Sequence, residues 1–246
     1  MAESVVGCSD EIATEINIFR SDPSGYMVHL ETHLKTFEDE MTYVQSDGRR
    51  VRTNEGKRGV QECIVALRDK PPMPLVAASA LLEMAAIDHA KDQAVNNTTG
   101  HVGTDGSTMA TRIEKYCKWQ VTIGENCDYG NSDPRNIIIA LLIDDGVENK
   151  GHRENLCNEL FLFVGAAKGS HSTYKFNCVQ DYAGGILDPS TLDLTDKTIV
   201  VPPCTSPLPE DLIIAIKSIP GGMGQQILDQ IATKSAEGWK VPFFRN

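Results

Sequence analysis

The chain has 246 residues, 41% hydrophobic and 23% charged, enough for one large folded domain or a domain with an appendage. Its 34 acidic against 23 basic residues give a formal charge of −11. That sign argues against nucleic-acid binding and against general attachment to anionic membranes. No apolar run approaches the roughly 20 residues that a membrane-spanning helix needs.

The opening MAESVVGCSDEIATEINIFR has neither a basic n-region nor an apolar stretch of signal-peptide length. The expectation is therefore a cytoplasmic protein. Its cysteines (Cys8, Cys63, Cys117, Cys127, Cys157, Cys178, Cys204) should stay as thiols, and their odd number and lack of CxxC spacing agree with that.

Ser9 is placed to cap a helix whose apolar positions Ile12, Ile16 and Phe19 recur at helical spacing. Asp22-Pro23 is an N-cap and first-turn pair that opens the next stripe, Tyr26, Leu30, Leu34 and Phe37. Residues 38–59 lose periodicity and gain charge and turn residues, and read as a surface excursion. Its basic cluster (Arg49, Arg50, Arg52, Lys57, Arg58) reads as a solvated face, with a docking patch as the alternative. Val60, Cys63, Ile64 and Leu67 return to helical spacing, and the prolines of 71–74 end that helix.

A long helix is expected from Ala78 to Asn97, with Leu82, Ala85, Ala86, His89 and Ala90 on one face. His89 reads as a satisfied core histidine. Asp133-Pro134 opens a helix that is apolar nearly all round over 137–144, with Gly146 as its stop. Residues 161–169 and 174–185 read as strands, and 119–130 holds a further short one. Helices covering a small sheet are the expected layering, an α+β architecture. Residues 202–210 form a proline-rich linker, followed by apolar segments at 212–219 and 225–244. The expected organisation is a domain over 1–200 and a docking segment over 201–246.

The sequence has no Walker loop, GxGxxG, HExxH or GxSxG motif. Acids and imidazoles instead gather beside glycines in GHVGTDGS (100–107), GEN (124–126), LLIDDGVENKGHRENL (141–156) and GSHSTY (169–174). Two imidazoles and one or two carboxylates suit Zn²⁺ or another divalent ion. The same groups could support acid–base work or simply form a polar network. Ser107 and Ser172 lack a flanking activation motif. Cys127 reads as a buried thiol, Asn126 as a backbone-bonding amide, and Asp181 as the anchor of a turn.

With these motifs in order, the stretch from Pro74 to Gly185 resembles the CAP superfamily, also called the SCP or pathogenesis-related family, and in particular its leaderless, bacterial-type branch. The resemblance implies a CAP-type α-β-α sandwich with a central antiparallel sheet, followed here by a C-terminal extension. It also implies a cleft tetrad of two histidines and two acids. His101 and Glu125 match the first half and His152 the second histidine. The family's W-x-x-E pattern falls on Leu141-Leu142-Ile143-Asp144, so Asp144 stands where Glu is usual, with Asp145 as the neighbouring candidate. Asp145, Ser107, His171 and Asn126 are candidates to line the cleft.

The resemblance implies binding more than chemistry. The reading is a non-enzymatic intracellular binding or scaffold protein whose cleft takes Zn²⁺ or another divalent ion. A protein partner would dock through the C-terminal segment, and a sterol or other lipid is a further ligand class. The alternatives are a metal-assisted hydrolase using the tetrad, and a structural subunit of a larger, for instance cytoskeletal, assembly.

Overall fold

The structure is a computed structural model. It describes residues 5–188 and, beyond them, only the antiparallel backbone pairing of Val200–Val201 with Trp239–Lys240. The chain divides into two units, Met1–Asp188 and Pro189–Asn246. The linker and apolar segments expected over 202–210, 212–219 and 225–244 lie outside the described residues, apart from Trp239–Lys240.

The first unit runs β1 (Val6–Gly7), α1 (Ser9–Ser21), α2 (Pro23–Leu34), β2 (Thr42–Val44), β3 (Arg50–Arg52), α3 (Lys57–Leu67), β4 (Ala77–Ala78) and α4 (Ala80–Asn96). It continues with α5 (Met109–Ile113), β5 (Lys118–Tyr129), α6 (Pro134–Ile143), α7 (Gly151–Cys157), β6 (Phe163–His171) and β7 (Lys175–Leu187). The main sheet has the order β1-β6-β7-β5, all antiparallel, and the short β4 pairs in parallel with β6. β5 is therefore an edge strand.

Strand alternation divides the core into two. Val164, Ala166, Cys178 and Tyr182 point to a core shared with Ile12, Ile16, Phe19, Ile137, Ile138, Leu142 and Leu156 of α1, α6 and α7. Their neighbours Ala167, Val179, Ala183 and Cys127 face Leu82, Ala85, Ala86, Ala90 and Ile113 of α4 and α5. Helices thus cover both faces of the sheet, which is the layering the sequence implied.

The expected caps at Asp22-Pro23 and Asp133-Pro134 hold: Asp22 accepts from the Gly25 amide and Asp133 from the Asn136 amide. Ser9 is different. It lies inside the first turn of α1, and its amide and hydroxyl both donate to Glu83 Oε2, at 3.0 and 2.6 Å. A carboxylate from α4 therefore satisfies the start of α1. The excursion at 38–59 contains the β2–β3 hairpin. Its cations are largely paired within or beside it, Arg49 with Asp47, Arg50 with Glu38 and Lys57 with Glu40. β5 is longer than the short strand expected, with a register break between Gln120 and Ile123 where Val121 takes φ 68°.

Gly165 sits where β6 meets the first turn of α4. A Cβ there would collide with the Glu83 amide nitrogen and with Leu82. Gly165→Ala is expected to lower stability by about 1–3 kcal/mol through overpacking against backbone. A urea midpoint equal to that of the unaltered protein would refute this close approach.

Candidate functional site

Edge strand β5 separates two histidine–carboxylate pairs. Glu125 points to the α4 face, and its Oε1 lies 2.8 Å from His101 Nδ1. Its Oε2 accepts from Arg112 Nη2 at 2.6 Å. Arg112 also donates to the carbonyls of His101 and Ser107, both at 3.1 Å, and so fastens the 100–107 loop over the carboxylate.

The second pair comes from the α6–α7 connection. α6 ends at Ile143, and its C-cap Asp144, two residues before Gly146, takes a left-handed conformation with φ 54°. Asp tolerates that region better than most residues. From there its Oδ2 accepts the His152 amide at 2.8 Å and its Oδ1 lies 2.6 Å from His152 Nδ1. The imidazoles of the two pairs approach each other, ring centroids 6.1 Å apart and planes inclined by 35°. Both carboxylate side chains are 2% exposed, whereas His101 is 52% and His152 22% exposed. The imidazoles are the accessible groups, and the acids support them from behind.

Asn126 and Asn155 link the pairs. Asn126 Nδ2 donates to the His152 carbonyl, and Asn155 Nδ2 donates to Asn126 Oδ1 at 2.8 Å. Asn126 is thus a backbone-bonding amide, as the sequence suggested. Asp145, by contrast, accepts from the amides of Asn54 and Glu55 and from Asn54 Nδ2, so it anchors the 38–59 excursion. Ser107 belongs to the loop held by Arg112. His171 is buried elsewhere, its Nε2 3.0 Å from the Thr98 carbonyl and its ring packed on Tyr129 and Tyr174.

Three features escaped sequence reasoning. Arg112 gave no motif signal, yet it is 1% exposed and pairs with Glu125. Asp181 anchors no turn. It lies mid-strand, directly across from Glu125 in the β5–β7 register, and is 0% exposed. Among the described residues neither of its oxygens has a partner in hydrogen-bond geometry. Burial, then the neighbouring Glu125 charge, pushes its carboxyl well above the ordinary range. His89 is a core residue, but only half satisfied: Nε2 is 2.8 Å from the Gly100 carbonyl, while Nδ1 has no partner among the described residues.

The bond to Glu125 raises the His101 pKa above its ordinary 6.5, against the burial that lowers it. A raised imidazole pKa stabilises the fold below the unfolded value, and this contribution is lost as pH rises through the folded value. In an NMR titration the His101 midpoint should lie above 6.5 and fall in Glu125→Gln. Equal midpoints in the two proteins would show that the carboxylate does not govern this ring.

The fold and site together define a three-layer α-β-α domain with two carboxylate-backed histidines at the edge of its sheet. The chain is a CAP-superfamily protein: the family described as the Cysteine-rich secretory protein family matches residues 61–182. Among solved structures, the chain is similar to an extracellular SCP-domain protein of Bacillus anthracis, at 28% identity and TM-score 0.37. That similarity covers 50% of this chain and 39% of the other. It is also similar to an outer surface protein of Borrelia burgdorferi, at 22% identity and TM-score 0.40, covering 50% of this chain and 86% of the other. No curated protein matches the chain.

Proposed function

We infer that this CAP-domain protein works by binding, and that the His101–His152 cleft takes a divalent ion through the two imidazole Nε2 atoms. The observation that supports this most is the engagement of both Nδ1 atoms by buried carboxylates. Such a bond fixes the tautomer and turns Nε2 outward as the free lone pair, the usual arrangement behind a metal-binding histidine. Glu125 and Asp144 then act as orienting groups, because their oxygens already serve His101, Arg112 and His152. Two protein nitrogens leave most of the ion's coordination open to water or to a ligand's oxygen atoms. This suits an exchangeable binding site.

Residence inside the cell agrees with Cys8, Cys63, Cys117, Cys127, Cys157 and Cys178 all being free thiols. No helix among the described residues is long and apolar enough to cross a membrane. Partner docking through 201–246 is proposed from composition alone.

Zinc added to protein with ¹⁵N-labelled histidines should shift the His152 Nε2 resonance. Binding at that site should weaken about 10-fold or more in Asp144→Asn, as expected for loss of an orienting partner. An unshifted His152 Nε2 at saturating zinc would overturn the cleft reading.

A further inference from the structure

Behind the cleft, on the α4 face of β5, lies a second group of donor atoms. His89 Nε2, Glu125 Oε1 and Cys127 Sγ all lie within 4.8 Å of one another. His89 Nε2 is 3.9 Å from Glu125 Oε1. His101 Nδ1 lies beside the group, 3.9 Å from Cys127 Sγ and 2.8 Å from Glu125 Oε1, to which it donates. Tetrahedral zinc, with bonds of about 2.0–2.3 Å, holds its ligand atoms about 3.3–3.8 Å apart. Small shifts would therefore bring these atoms around one ion.

We propose that His89, Glu125 and Cys127 form an inner zinc site, distinct from the exchangeable position between His101 and His152, in which His89 carries its proton on Nδ1 and Gln93 Nε2 keeps the Gly100 carbonyl. His101 links the two: its Nδ1–H stays on Glu125 Oε1, which offers its other lone pair to the inner ion, and its Nε2 faces the cleft. Imidazole, carboxylate and thiolate together favour zinc over magnesium or calcium, which prefer all-oxygen sites.

Two further observations point the same way. Cys127 Sγ lies 3.7 Å from the Gly100 carbonyl, 3.8 Å from Gln93 Nε2 and 3.9 Å from His101, beside the Tyr129 hydroxyl. Asp181 is fully buried beside Glu125, and neither of its oxygens receives a donor among the described residues. Around a divalent ion, Glu125 and a Cys127 thiolate would supply two negative charges. Arg112 stays on Glu125 Oε2 and leaves Oε1 for the metal. His101, half exposed, forms the door through which the ion would enter.

The test uses the full chain. With zinc bound, X-ray absorption should resolve one sulfur at about 2.3 Å together with a nitrogen and oxygen shell at about 2.0–2.2 Å. Cobalt(II) should give a near-ultraviolet thiolate charge-transfer band that is lost in Cys127→Ser and kept in His152→Ala. A zinc shell without sulfur, or a cobalt band that survives Cys127→Ser, would overturn the inner site. The two readings fail separately. Loss of the His152 Nε2 shift with the sulfur shell retained removes only the cleft ion, and the reverse removes only the inner one.

Discussion

In chelator-treated protein, Glu125→Gln should lower folding stability by about 3 kcal/mol, because it leaves a buried guanidinium without its counter-charge. Arg112 is 1% exposed, and apart from Glu125 its partners are neutral groups of His101 and Ser107. The amide has the size of the carboxyl, so no cavity forms and the effect is electrostatic. Asp181 modifies the outcome. With the Glu125 charge gone, it can ionise and partly neutralise Arg112. Glu125→Gln with Asp181→Asn should therefore be worse than the sum of the two single changes, by about 1 kcal/mol or more. Urea denaturation with an unchanged m-value measures this directly. Strict additivity would show that the two facing carboxyls are independent.

Arg20→Met should cost a comparable or larger amount, about 4 kcal/mol, for a different reason. Arg20 is 0% exposed and donates to four main-chain carbonyls, of Pro74, Leu156, Asn158 and Phe161, at 2.9–3.0 Å. These belong to the segment after α3, to α7 and to the turn into β6. The side chain thus ties α1 to two otherwise separate stretches, at Pro74 and over 156–161. Methionine would leave these carbonyls short of a donor in a dry interior, where each lost bond to a charged donor is worth about 1.5–3 kcal/mol. Arg20→Lys should recover less than half, because one ammonium cannot reproduce the planar fork that reaches four acceptors. A loss under 1 kcal/mol for Arg20→Met would mean that water replaces the guanidinium.

Much of the helical layer was legible because its signals are local. Ile12, Ile16 and Phe19, or Val60, Cys63 and Leu67, mark buried faces by spacing alone, and all six are at most 1% exposed. Asp22 and Asp133 announce helix starts because capping acts over three residues. Ser9 misled because its hydroxyl has two possible uses, a local cap and a distant carboxylate. Only the approach of Glu83 across the fold selects the second. The pairing of 38–59 into a hairpin was missed for a related reason. Its strands, Thr42–Val44 and Arg50–Arg52, are three residues each, too short for a period of two to be read.

The candidate site shows the same division. His101, Glu125, Asp144 and His152 could be named from ordered motifs in the chain, since each lies in a short glycine-flanked run. The choice of Asp144 over Asp145 as the partner of His152 depends on a left-handed residue at the end of α6, which no spacing reveals. Asp181 could not be placed without the strand register. With a period of two, a slip of one residue in β7 would send it to the opposite face and away from Glu125.

By itself, then, the sequence determined which segments are helices, which residue types gather near glycine turns, and the family pattern they compose. These are properties of neighbouring residues, and local hydrogen bonds and hydrophobic period encode them. The tertiary structure alone decided that β5 lies at the sheet edge with a histidine–carboxylate pair on either side. It alone brought Arg112, Asp181, His89 and Cys127 around Glu125. Apart from that of Cys127, those contacts join residues 13 to 56 positions apart, and the packing of α4 and α5 against the sheet sets their distances.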